Sequence, residues 1–395
     1  MLIVIFWIWF QSVNIPLASW QNPLWSALPL YVGDPRYRSI SIAPFITRTE
    51  LMKLATYIAA GWLAAAISIR HSSARTIFVA IFTIGVGYSI YGLTLSALGT
   101  SQVALLEGEL SQYGRDVSGG FVAKNSFATF TGLTLLVGFS LFSQVAQKYV
   151  VGHRGWRTYL RTSLQAVLGR GAPWFVGSLV MLAALIGSDS RAGLISALIG
   201  ILTAYVLAVV IPARRKRQKW PLIGGLTIAG TIVLFFSLSG YNLQSRFENL
   251  IETGGAEELR PTMWSAAMLG IERQPLTGAG LGTYKEVYPI YADRFLPFIV
   301  DRAHNDYLEF TLGVGIPAAI IWLLALLSIT LKCAIGAVRR RHRQIYASTA
   351  AAASILVGVH SIFDFSLQMP AVSLLYSALL GVGIAQSSTS RSDMM

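Results

Sequence analysis

The chain has 395 residues, of which 54% are hydrophobic and 12% charged, and its mean hydropathy is +0.58, a balance that excludes an ordinary soluble domain. The formal net charge of +13 would suit a nucleic-acid partner, but the cations collect in short connections between apolar runs, which argues against one. Cys333 is the only cysteine, so an intrachain disulfide and a thiolate metal cluster are both excluded.

A bilayer core about 30 Å thick takes roughly 20 apolar residues per helix, and about ten runs approach that length. They are residues 1–18, 50–69, 76–98, 124–145, 174–188, 191–212, 220–239, 308–332, 347–363 and 369–386. The first is interrupted by Gln11 and Asn14, and the fifth is short. "MLIVIFWIWF" has neither a basic n-region nor a small-residue cleavage site, so it reads as a first spanning segment rather than a signal peptide. Basic residues mark the connections at Arg70 and Arg75, from Lys148 to Arg170, in "ARRKRQK" (213–219) and in "RRRHR" (339–343). With these facing the cytoplasm, the positive-inside rule holds at four successive loops. The other side then carries the loops 19–49 and 99–123, the turn at 188–193, the long segment 240–307 and the junction around Asp364. The resulting organisation is a block of about seven helices (1–239), a loop (240–307), about three more helices (308–386) and a cytoplasmic tail (387–395).

Within the long loop, "ELRPTMWSAAMLGIERQP" reads as a helix with Pro261 at its first position. Met263 or Trp264, Ala267, Met268 and Ile271 recur at helical spacing, so one face is apolar and lies on the membrane or packs on the bundle. "PLTGAGLGTY" then supplies Gly278, Gly280 and Gly282, where the backbone can turn tightly or approach a ligand. Without a strand–helix context and a lysine, these glycines are a weak phosphate signal.

Three cations or titratable groups fall on the same outer face. Arg191, in "SDSRAG", lies between two closely spaced apolar runs at the membrane boundary, where an ionisable residue is costly and a functional candidate. The structural alternative is that Ser188 or Ser190 caps the next helix while Arg191 snorkels to the headgroups. Arg260 stands at a helix start, where the dipole disfavours a cation, and its planar fork of donors suits phosphate oxygens; a solvated loop arginine is the alternative. His304, in "RAHNDYLEF", precedes a helix start at which Asp306 and Glu309 resemble a capping box and Arg302 an interfacial cation. The positive end of that helix would keep His304 neutral and able to accept a proton. His360 and Asp364 are four apart in "HSIFDFSL", where they either pair or line a cavity. No spacing resembles a metal site.

Four stretches, "SDSRAG", "RPTMWSAAM…QPLTGAGLGTY", "AHNDYLEFTLGVGIPA" and "HSIFDFSLQMPA", give the chain a pattern that resembles the O-antigen ligase and O-antigen polymerase family of bacterial membrane glycosyltransferases. The resemblance runs from about residue 45 onward. At Asn125-Ser126 the family more often has asparagine-histidine, and the N-terminal part is shorter than the family's. It implies an all-α polytopic membrane protein, a GT-C-like bundle with one large periplasmic loop, set in the bacterial inner membrane with its active site facing the periplasm. It also implies His304 as the catalytic group and Arg191 and Arg260 on the donor pyrophosphate; beside it, Asn305, Gly280, Gly282, His360 and Asp364 are candidates for supporting roles. The expected activity is inverting transfer of a glycan from undecaprenyl pyrophosphate to an acceptor hydroxyl, on lipid A-core or on another glycan, with no metal, cofactor or nucleic acid. Transport of a small anion is the alternative from another class.

Overall fold

The computed structural model describes residues 1–15, 17–26, 38–99, 116–150, 156–211, 259–292, 299–340 and 343–388. The apolar run 220–239, the basic segment 213–219 and the first part of the long loop, 240–258, lie outside the described residues, as do most of 99–123 and of the tail. Among the described residues all regular structure is helical. In lipid every backbone N–H and C=O must be satisfied within the chain, and an apolar helix does this segment by segment.

Thirteen α-helices are described: α1 (Leu2–Gln11), α2 (Pro44–Ile67), α3 (His71–Leu98), α4 (Lys124–Val150), α5 (Trp156–Leu168), α6 (Ala172–Gly187) and α7 (Arg191–Tyr205), the last extended by a π turn (Val206–Val210). Then come α8 (Arg260–Arg273), α9 (Tyr284–Tyr291), α10 (Asp306–Val314), α11 (Ile316–Arg339), α12 (Ile345–His360) and α13 (Pro370–Ala385). Among the described residues five spans are long and apolar enough to cross a membrane: α2, α3, α4, α7 with its π turn, and α11. The count rises to 6 if α5 and α6, bent by 83°, form one span, and α1, α12 and α13 are shorter apolar helices. The protein is therefore a multi-pass helical membrane protein.

The expected run 308–332 is divided. Gly315, at φ +81°, ends α10, and a side chain there would strike the Leu276 carbonyl. The next amide, Ile316 N–H, donates to Pro275 C=O at 2.8 Å, so the chain is tethered at the break and α11 starts afresh with Pro317 in its first turn.

Two compact units make up the chain. The first comprises Met1–Ala59, Gly240–Ser328 and Ser361–Gln368, and so holds α1, α8, α9 and α10. Its core joins Met263, Ala266, Ala267, Tyr284, Val287, Val300 and Leu312. The buried face of α8 is thus Met263, Ala266, Ala267 and Gly270, packed on α9 and α10; Met268, expected on that face, is 48% exposed. Gln11, which breaks the first apolar run, donates through Nε2 to the carbonyls of Thr277 (2.6 Å) and Gly313 (2.8 Å).

The second unit comprises Ala60–Ser239, Ile329–His360 and Met369–Met395. Its helices approach closely through small residues, as helices in lipid do: Gly132 faces Ala197, Gly200 faces Leu356, and Gly383 faces Ala350. Ser140 and Thr349 share a buried hydroxyl–hydroxyl bond of 2.6 Å between α4 and α12. Ser190 caps α7, its Oγ accepting from Gly193 N–H at 3.2 Å, and Asp189 before it adopts φ +49°.

Candidate active site

Three residues of the first unit, Ala303, His304 and Asn305, are held from both sides. Ala303 N–H donates to Glu309 Oε2 at 3.0 Å, and Trp264 Nε1 donates to the Ala303 carbonyl at 3.0 Å. Asn305 is the N-cap of α10: its Oδ1 accepts from Leu308 N–H and its Nδ2 donates to Ile362 C=O, both at 3.0 Å. Fixed between these anchors, His304 adopts φ +50°, a left-handed conformation that a histidine keeps only when its surroundings over-determine it.

His304 Nδ1 lies 3.1 Å from Asp364 Oδ1, and its ring meets Phe365 edge-on at 4.7 Å. The imidazole is 32% exposed while the Asp364 side chain is 1% exposed, so the pair opens on one side only. A proton on Nδ1, donated to Asp364, leaves Nε2 as the ring nitrogen with a lone pair. The second oxygen, Asp364 Oδ2, is buried with no hydrogen-bond partner among the described residues. The expected helical face shared by His360 and Asp364 is absent, because α12 ends at His360 and Asp364 lies in the turns beyond it.

Asp306 and Glu309 do not make the expected capping box, since Asn305 takes the cap. Asp306 turns inward instead. Its backbone N–H donates to the carbonyls of Ser361 (3.0 Å) and Asp364 (3.2 Å), and its Oδ2 accepts from Ser361 Oγ (2.9 Å) and Leu367 N–H (3.2 Å). Asp306 thereby grips the segment that presents Asp364. Burial pushes its carboxyl up to about 8 against the opposing pull of the Leu367 and Ser361 bonds. Glu309 pairs with Arg302 at 2.8 Å. Burial raises the Glu309 carboxyl while Arg302 opposes the shift. Burial is the largest single influence and lowers Arg302, but the bond and charge of Glu309, with the charges of Glu50 and Asp301, together hold the guanidinium above its usual value.

Arg260 opens α8 one turn before Trp264, the residue bonded to the Ala303 carbonyl, so the two share a helical face. Gly280 and Gly282 stand at φ +103° and +82°, and side chains there would strike Ser41 and Glu50. Packing against α2 and the residues leading into it accounts for both glycines. Arg191 and His360 belong to the second unit; Arg191 is exposed in the first turn of α7, and His360 is fully buried. The sequence reading missed the His304–Asp364 pair and the Asp306 network. The turn-forming "SIFDFSL" after an apolar helix was the available signal for both.

A multi-pass helical membrane protein with a histidine–carboxyl pair beside its α10 start is the class these features define. Residues 176–323, less than half of the chain, match the family model described as O-Antigen ligase, the family that the quoted motifs resemble. The matched stretch includes Arg191, Arg260, Gly280, Gly282, His304 and Asn305, while His360 and Asp364 lie beyond it. Glycan transfer in lipopolysaccharide and polysaccharide synthesis is the activity that goes with that family, with lipid-linked glycans as its substrates. No curated protein matches the chain.

Proposed function

We propose that the protein transfers a glycan from undecaprenyl pyrophosphate to an acceptor hydroxyl at the periplasmic face of the inner membrane, with inversion at the anomeric carbon. The observation that carries this reading is the His304–Asp364 pair. Asp364 holds the imidazole through Nδ1, and Nε2 takes the proton of the acceptor hydroxyl as its oxygen attacks the anomeric carbon. The bond from that carbon to the pyrophosphate oxygen breaks, and its electron pair leaves with the lipid pyrophosphate. Because the donor is already activated, the step consumes no nucleotide. Cations suffice to stabilise the charge that develops on the leaving group, and Arg191 and Arg260 are assigned that role on the strength of the family resemblance. The acceptor is lipid A-core in a ligase and a growing chain in a polymerase.

The test uses purified protein in vesicles with a lipid-linked glycan donor and its acceptor. His304→Ala is expected to abolish transfer while the protein remains folded and inserted; undiminished transfer removes His304 from the reaction. A gel of surface polysaccharide from a deletion strain separates the two acceptors. Loss of the whole ladder marks a ligase, and collapse to single repeat units marks a polymerase. Failure to drive solute flux in liposomes discounts transport.

A further inference from the structure

Helix α5 carries a face that the glycan-transfer reading does not use. Leu160, Leu164 and Leu168 recur at four-residue spacing and are 52%, 52% and 80% exposed. Thr162 and Ala166, on the opposite side, are buried where α5 packs on α4 and α6. The exposed leucines share their face with Arg157 and Arg161, and Arg170 follows the helix. From Asp116 to Asp189 the chain has no other acidic residue, while Lys148, Arg154, Arg157, Arg161 and Arg170 lie between them. The direction of the helix supplies an independent constraint. α5 meets α6 at 83°, and α6 is apolar from end to end without a charged side chain. With α6 along the bilayer normal, α5 runs in the membrane plane. Burying its arginines in hydrocarbon would be costly. At the interface the leucines enter the acyl boundary while the guanidinium groups stay at the phosphates.

We infer that α5 is a membrane-surface helix whose Leu160, Leu164 and Leu168 face docks on an anionic lipid headgroup layer, with Arg157 and Arg161 reading the lipid phosphates. The charge sign selects anionic over zwitterionic lipid, each arginine near such a surface contributing about a fivefold preference.

Because Cys333 is the only cysteine and is fully buried, one environment-sensitive thiol label can be placed at Leu164→Cys or, turned away on the same helix, at Thr158→Cys. The full-length protein is reconstituted in phosphatidylcholine vesicles with or without phosphatidylglycerol. Label fluorescence is then read against acyl-brominated lipid and aqueous iodide. Brominated lipid is expected to quench position 164 about threefold more than position 158, and most strongly with phosphatidylglycerol present. Iodide is expected to reverse the order. In an Arg157→Gln/Arg161→Gln background the effect of phosphatidylglycerol disappears. Leu168→Cys replaces Leu164→Cys if the latter fails to reconstitute. Equal quenching at the two positions, indifference to phosphatidylglycerol, or protection of position 164 from both quenchers, as a protein partner would give, overturns the inference.

Discussion

His304 owes its position to its neighbours. Its own backbone is strained at φ +50°, and the bonds on Ala303 and Asn305 hold it there. A group so placed loses little entropy when it meets a substrate, which is what a base needs. In the proposed reaction Asp364 would fix the ring and stabilise the imidazolium formed during proton transfer. Asp364→Asn should keep the fold, since an amide oxygen can still accept from Nδ1–H, yet lower kcat by about 10²-fold or more. Donor KM should change little, because the residue does not touch the donor in this scheme. Steady-state kinetics on reconstituted protein checks both halves; an equal loss in KM alone would assign Asp364 to binding. At this scale the sequence told part of the story. The histidine stood out through its surroundings, but its partner is 60 positions away. A helical i, i+4 rule pointed Asp364 toward His360 because the four-residue spacing was weighed above the turn-forming residues that follow His360.

The start of α10 is where the element scale decides the outcome. Asn305 and Asp306 are both good N-cap residues, and a sequence pattern cannot choose between them. The structure chooses because Ser361 and Leu367 offer donors to an inward carboxyl, which leaves the cap to Asn305. The consequence is measurable as a pH dependence. Burial pushes the Asp306 carboxyl from the usual 3.8 up to about 8, so the folded state binds more protons between those limits. Stability from this group is fully present below about pH 4 and is lost as the pH rises through about 8. Asp306→Asn is isosteric and cannot ionise, so the thermal midpoint of the variant in detergent should be flatter than wild type across that window. A wild-type slope retained in the variant would place the titration elsewhere. The Arg302–Glu309 pair gives a second test on the same element. Arg302→Met leaves a buried carboxylate with only the Ala303 amide, and should cost about 3–5 kcal/mol by denaturant titration. Arg302→Met with Glu309→Gln should cost less than the sum of the single changes, because each single change strands a charge and the double variant strands none.

Across the whole molecule, apolar runs in the sequence were a good guide to helices and a poorer one to their ends. Nine of the ten runs contain a described helix, and the tenth, 220–239, lies outside the described residues. The break at Gly315 was hidden because residues on both sides are apolar, and a positive φ tethered to Pro275 is a tertiary fact. Arg191 and Arg260, held to be donor-binding cations, belong to different compact units. If both act on the pyrophosphate, Arg191→Ala and Arg260→Ala should each reduce kcat/KM for the donor by about tenfold or more, with the protein still inserted. Wild-type turnover in both would remove that role.

The sidedness of the chain can be tested without any substrate. In the proposed orientation, with the basic connections in the cytoplasm, His304 would face the periplasm and Arg343 the cytoplasm. Glu272 and Arg343 are both exposed, and the buried Cys333 gives a low background for thiol labelling. In intact cells whose outer membrane admits a charged maleimide, Glu272→Cys should label fully. Arg343→Cys should label only after the inner membrane is opened. The reverse pattern would place His304 in the cytoplasm, beyond reach of a donor presented at the outer leaflet. The transfer mechanism would then lose its substrate even if the His304–Asp364 geometry stood.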